Sequence, residues 1–215
     1  GPGMDSRALP DYTWPTGRVR PGGGSVMEQK LPTREAALAL LYSKIADPQL
    51  RAHCLATEAI LRHLARRLGE DEDLWGLSGL LHDLDLPEVG TDMTVHGRVS
   101  EGWLREIGFP EEGIDAIVHH NAEGLGLTRT TPFHHAVAAA EQITGLIRTT
   151  ALVQPSRQVA DVKVSSVVKR MKDKRFAANV DRESIRECQH LGLALEDFVA
   201  LAIVAMTEQA EALGL

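Results

Sequence analysis

The sequence is short of cysteine. Its 215 residues contain two, Cys54 and Cys188. They have no CxxC spacing, which excludes a zinc knuckle or a disulfide framework. A reducing, cytoplasmic setting is the expectation for such a chain. Long apolar runs are also missing. LAIVAM at 201–206 is the most apolar stretch, far below the length of a membrane span. No basic segment leads into an apolar one at the N-terminus, so neither a signal peptide nor a membrane partner is expected. Positive charge is not in excess: 23 Lys and Arg face 30 Asp and Glu, a formal net charge of −7. That balance argues against a nucleic-acid polymer as partner. Alternation of apolar and polar residues is absent over any useful length, and only QVADVKV could pass for a short strand.

What remains is a chain with 43% apolar and 25% charged residues, enough for one domain with a substantial core. Gly1-Pro2-Gly3 before Met4 looks like a remnant of tag cleavage. Residues 4–27 are rich in Pro and Gly and read as a flexible extension, which leaves 28–215 as the folded domain. Helical periods run nearly throughout it. PTREAALALLYSKI follows Thr33 as N-cap. DPQLRAHCLATEAILRHLARRLG opens on Asp47-Pro48 and ends at Gly69. DEDLWGLSGLLHDLD, VHGRVSEGWLREIG, PEEGIDAIVHHN and TPFHHAVAAAEQITGLIRTTALV follow. DRESIRECQHLG and LEDFVALAIVAMTEQAEALG close the chain. The fold class is all-α, a compact single-domain helical bundle. Oligomeric state stays open, a homo-oligomer included.

Nine histidines stand out, eight of them between positions 53 and 135. GLLHDLDLPE at 79–88 places His82 and Asp83 in an apolar stretch, where a polar pair needs partners. His53 lies on the apolar face of its helix, with Thr57, Ile60, Leu64 and Leu68. His96 opens a helix and His120 closes one. Of His119 and His120 only one can face inward with Ile114 and Ile117, and His120 is the better candidate. Glu141 sits amid AVAAAEQITG. Facing helices of a bundle assemble metal sites from such side chains. Imidazole and carboxylate without thiolate suit Fe or Mn, with Zn, Co or Mg compatible. His82 and Asp83 diverge by about 100° on a helix, so they share a metal only at a helix end. Asp83 is the candidate bridge between two ions. Taken singly, a histidine on an apolar stripe is more often a hydrogen-bonded core residue than a ligand. His134 and His135 read as surface residues at a helix start, and His63 and His190 as solvent-facing.

The order His53, His82-Asp83, His96, His120, carboxylate resembles the HD-domain superfamily of metal-dependent phosphohydrolases, with LLHDLD similar to its namesake motif. The resemblance covers residues 33–150. His96 and His120 are similar to the extra ligands of its dinuclear branch. That branch contains HD-GYP phosphodiesterases, diadenosine-tetraphosphate hydrolases and mixed-valent di-iron oxygenases such as myo-inositol oxygenase. The tail from Ile143 onward resembles small bacterial HD proteins of the HDIG type, grouped as hydrolases. One departure matters: the family's last ligand is normally aspartate in AAD, and here it is Glu141 in AAE. The GYP element is absent, which disfavours cyclic-di-GMP hydrolysis.

The resemblance implies two divalent ions, held by His53, His82, Asp83, His96, His120 and Glu141, that activate water against a phosphoester. The substrate would be a nucleotide or another small phosphorylated metabolite. The basic segment 163–175 offers Lys172 and Arg175, three apart, as phosphate-binding residues, although most of that segment reads as a solvated helix face. The same ligands would serve a di-iron oxygenase. A non-catalytic nucleotide- or metal-binding module is the third reading, supported by Glu141 alone.

Overall fold

The computed structural model describes residues 29–215, so the expected flexible extension at 1–27 lies outside the described residues. Every regular element among them is helical, with no strand. QVADVKV contains a 3-10 turn, Val159–Asp161.

Local capping sets the boundaries. Thr33 Oγ1 accepts from Ala36 N–H at the start of α1 (Arg34–Lys44). Asp47 accepts from Gln49 N–H before α2 (Pro48–Leu68), which Gly69 ends in a left-handed conformation, φ 74°. Both are the caps that sequence preference assigns. Asp71 caps α3 (Glu72–Leu81), whose residues 74–81 are all buried. A helix apolar on all sides belongs in the interior. It packs chiefly on α2, and Gly79 permits the approach: a Cβ there would stand 2.6 Å from Leu61 Cδ1 and 3.1 Å from the Thr57 carbonyl oxygen.

α3 stops at Leu81, four residues earlier than the pattern suggests, and residues 82–85 form a turn into α4 (Leu86–Val89). α5 (Arg98–Glu106) begins after His96, not at it. Gly97 turns the chain there at φ 94°, a conformation that favours glycine. α6 (Glu111–His119) ends with His120 as its C-cap, and α7 (Ala122–Leu125) follows. Thr131 caps the central α8 (Pro132–Leu152), which packs against α2, α3 and α6. The remaining helices are α9 (Val164–Arg170), α10 (Arg182–Arg186), α11 (Leu195–Glu208) and α12 (Ala210–Leu213). α11 packs on α2, α8 and α9, and one continuous hydrophobic core links all these layers. No single described helix is long and apolar enough to cross a membrane.

Candidate metal centre

Three helix ends and two helix faces come together around Asp83. Asp83 Oδ1 lies 3.2 Å from His96 Nε2 and 3.4 Å from His120 Nε2. Asp83 Oδ2 lies 3.3 Å from His82 Nε2 and 3.5 Å from His53 Nε2. One carboxylate thus turns one oxygen toward each of two histidine pairs. Within each pair the rings meet nitrogen to nitrogen: His53 Nε2 to His82 Nε2 at 3.1 Å, and His96 Nε2 to His120 Nε2 at 2.9 Å. His82 and Asp83 both reach the centre because α3 has already ended.

The outer nitrogens explain what the inner ones can do. His82 Nδ1 donates to the Gly79 carbonyl at 2.7 Å, and His120 Nδ1 to the Ile117 carbonyl at 2.5 Å. His96 Nδ1 donates to Asp85 Oδ1 at 2.7 Å. Thr144 Oγ1 spends its proton on the Glu141 carbonyl, so it accepts from His53 Nδ1 at 2.9 Å. Each Nδ1 therefore carries the ring proton and each Nε2 presents a lone pair inward. A second hydrogen bond that fixes the tautomer in this way is what metal-ligating histidines have. Two lone pairs face to face repel unless a cation lies between them. His53, His82 and Asp83 supply one set of ligand atoms within 4.8 Å of one another, and Asp83, His96 and His120 a second. The residues present fit a divalent metal.

Protons compete for the same places. Burial opposes charge on His82, but Asp83 outweighs it and raises the ring's pKa. Burial, reinforced by His82, pushes its partner His53 down to about 4. Burial also opposes charge on His96, yet hydrogen bonds to Asp83 and Asp85 lift it to about 9. Burial lowers its partner His120. Each facing pair thus favours one proton on one ring. Burial works against the Asp83 carboxylate too, but positive charge on His82 and the close approach of the His120, His82 and His96 rings hold it well below the usual range.

Glu141 comes to the edge of this arrangement and not to its middle. Its Oε2 is 3.8 Å from His53 Nε2, and it belongs to neither three-residue set. Gln142 Nε2 donates to its Oε1 at 2.6 Å, and burial lifts its carboxyl to about 7. Lys172 and Arg175 are exposed in the turn after α9. Neither bonds to a cluster residue, and the groove of about 580 Å³ that Lys172 lines with Lys169, Arg170, Asp173 and Phe176 contains none of them.

Asp85 is the residue that motif reading passed over. It is fully buried and accepts from His96 Nδ1, Gly97 N–H and Ser100 N–H at 2.7 to 2.9 Å. These bonds and His96 keep it ionised, with its pKa lowered against the cost of burial. Its signal was the second aspartate of HDLD. Arg129 was missed as well. Its guanidinium binds the carbonyls of His119 and His120 and pairs with Glu123 and Glu187, pinning the chain on which His120 sits.

A second group of ligand-type residues lies outside this centre. Asp115, His119 and His134 have ligand atoms within 4.8 Å of one another, and the two rings stack at 3.9 Å. His134 is buried beneath that surface, contrary to its reading as a surface residue. Here Thr130 N–H donates to His134 Nδ1 at 3.2 Å, so the ring proton sits on Nε2 and goes to Asp115 Oδ2 at 2.6 Å. His134 is thereby held as a hydrogen-bond donor, with no inward lone pair to give a metal.

Among known proteins, the HD-domain family model matches residues 50–162, a span that contains all six residues of the central arrangement. No curated protein and no solved structure matches the chain. HD domains are in general metal-dependent hydrolases, and the four converging histidines about one aspartate are compatible with metal binding. The match covers more than half of the chain, and the protein belongs to the HD-domain family.

Proposed function

We propose that this protein is a metal-dependent phosphohydrolase acting on a small phosphorylated metabolite. The observation that supports the reading most is the set of four inward Nε2 lone pairs about the single Asp83 carboxylate. In this reading His53, His82 and Asp83, with Glu141 beside them, hold one ion. Asp83, His96 and His120 would hold the other. Two divalent ions, iron or manganese by the donor set, would supply there the positive charge needed to acidify a water and polarise a phosphoryl oxygen. The chain's own work is orientation. The Gly79 and Ile117 carbonyls, Asp85 and Thr144 hold the four rings in the required tautomer. Such preorganisation costs nothing at the moment of reaction.

The test is phosphate release by protein loaded with manganese, iron or cobalt, with and without dioxygen, on wild type and His96→Ala. Phosphate release in both atmospheres, lost with His96→Ala together with part of the bound metal, is the expected result. Substrate loss that requires dioxygen and yields no phosphate overturns it in favour of oxygenase chemistry. Metal-free protein after loading leaves a binding module.

A further inference from the structure

The two histidine pairs are carried in different ways. His53 lies within α2, and His82 directly follows α3, which is buried from Leu74 to Leu81. Helix packing places both. His96 and His120 stand where helices meet loops: His96 precedes the start of α5, and His120 is the C-cap of α6. The last carbonyls of a helix have no partner within it. Here one side chain takes them. Arg129 Nε donates to the His119 carbonyl at 2.9 Å, and its Nη2 to the His120 carbonyl at 2.8 Å. Its other three N–H groups go to carboxylates: to Glu123 Oε1 and Oε2 at 2.7 and 2.8 Å, and to Glu187 Oε1 at 2.7 Å. A guanidinium has five N–H donors, and here each of the five finds an acceptor.

The hold extends to His96. Asn121 Nδ2 donates to the Met93 carbonyl at 2.7 Å and to the His96 carbonyl at 3.0 Å. The residue after His120 is thus tied to the loop that carries His96. Gly124 leaves room for that amide: a Cβ there would stand 2.5 Å from Asn121 Oδ1 and 2.5 Å from the Met93 carbonyl oxygen. From the other side, His135 Nδ1 of α8 donates to Glu187 Oε2 at 2.7 Å, so Glu187 is fixed between α8 and Arg129. Glu187 opens a 3-10 turn, Glu187–Leu191, that packs on α8. The Arg129 side chain is 5% exposed, Glu187 20% and Glu123 65%. Water weakens an exposed ion pair, which makes Glu187 the firmer anchor. None of these side chains bonds to His53 or His82.

We infer that Arg129, anchored by Glu187, and Asn121 are positioning residues for the His96 and His120 pair alone, so that the affinity of this second metal position is set through the 187–191 turn, independently of the first. The inference rests on the two-ion part of the reading above and needs none of its phosphoester chemistry. To hold one ion, the Nε2 atoms of His96 and His120 must keep both their separation and their direction. Asp85 and the Ile117 carbonyl orient the rings from behind, but a ring is placed no better than its backbone. Releasing the His119 and His120 carbonyls lets the chain after α6 shift, and His120 shifts with it. The His53 and His82 position, carried by α2 and α3, does not feel that release. Groups behind metal-ligating side chains change metal affinity roughly 10- to 100-fold when removed.

The experiment measures manganese binding, by calorimetry and chelator competition, to wild type, Glu187→Gln and Arg129→Lys. Each is repeated with His53→Ala, which leaves the His96 position, and with His96→Ala, which leaves the His53 position. Glu187→Gln keeps the size of the side chain; Arg129→Lys keeps the charge but loses the planar fork. With His53→Ala, Glu187→Gln is expected to weaken manganese roughly 10-fold and Arg129→Lys roughly 10- to 100-fold. With His96→Ala, neither changes it. With all ligands present, the paramagnetic-resonance signal of a coupled manganese pair is expected to give way to that of single ions. Equal weakening in both backgrounds, with a lower thermal midpoint, makes the clamp a support of the whole fold and overturns the inference. So does no weakening in either, or a wild type that takes up one ion or none. If Arg129→Lys does not fold, Glu187→Gln decides by the same comparison. Phosphate release from an alkyl phosphate and a nucleoside monophosphate is assayed on the same samples. Two bound ions with a clamp-dependent second position, and no phosphate released, uphold the inference and reject the hydrolase. Phosphate release with clamp-independent binding does the reverse.

Discussion

Among the described residues there are two gatherings of histidine and aspartate, and they differ in one hydrogen-bond direction. Around Asp83, every ring gives its Nδ1 proton outward to a carbonyl, a carboxylate or a hydroxyl. Around Asp115, a backbone amide points at His134 Nδ1 and forces the proton to Nε2. The residue types are nearly the same and the spacing of donor atoms is similar. The inner group fits a cation because its lone pairs converge; the outer one is a hydrogen-bonded pair capped by a stacked ring. What lies behind a histidine decides its role as much as what lies before it.

The strongest way to break this comparison is Asp83→Asn. It removes the one charge shared by both histidine pairs, and metal content per chain is expected to fall by more than half. Elemental analysis reads the outcome, and unchanged content would deny Asp83 its central place. Next comes Asp85→Asn, which leaves every inner atom intact but weakens the hold on His96 Nδ1. Metal affinity is expected to drop roughly 10- to 100-fold, measured by competition with a chelator.

Acidity sharpens the same contrast. In the metal-free protein the His96 pKa, at about 9, lies above its ordinary 6.5. The stability this contributes is fully present below about pH 6.5 and is lost as pH rises through about 9. The thermal midpoint of the metal-free form is expected to fall across that window. Metal affinity rises across it and levels above about pH 9, because the ion no longer has to displace the proton. Calorimetry in buffers of different ionisation enthalpy counts the protons released. The smallest effect concerns the outer group. His134→Ala is expected to cost about 1–3 kcal/mol, from lost packing and an abandoned Asp115, with no change in bound metal. A drop in metal on that substitution would make the outer group a site after all.

The helical class was readable because caps and periods are local. Thr33, Asp47 and Gly69 act at the positions their sequence neighbours imply. The order of His53, His82, Asp83, His96 and His120 was readable too, since each sits on an apolar stripe or a helix end. Other features were not, because periodicity gives the face of a helix but not what lies across from it. His53 meets Thr144 across 91 positions, and His96 meets His120 across 24. No local rule reports the carbonyl or carboxylate behind a ring.

By itself, then, the sequence determined an all-helical fold class and a set of side chains able to bind a metal, both consequences of short-range preferences and residue chemistry. Tertiary packing alone decided that Asp83 faces two histidine pairs, that Asp85 supports one of them and that Glu141 stands at the edge. It also decided that His134 is buried with its proton turned to Asp115, and that Lys172 and Arg175 lie away from the histidine cluster. Those outcomes depend on which helices touch and on the angstrom-scale direction of single hydrogen bonds, which only the assembled core sets.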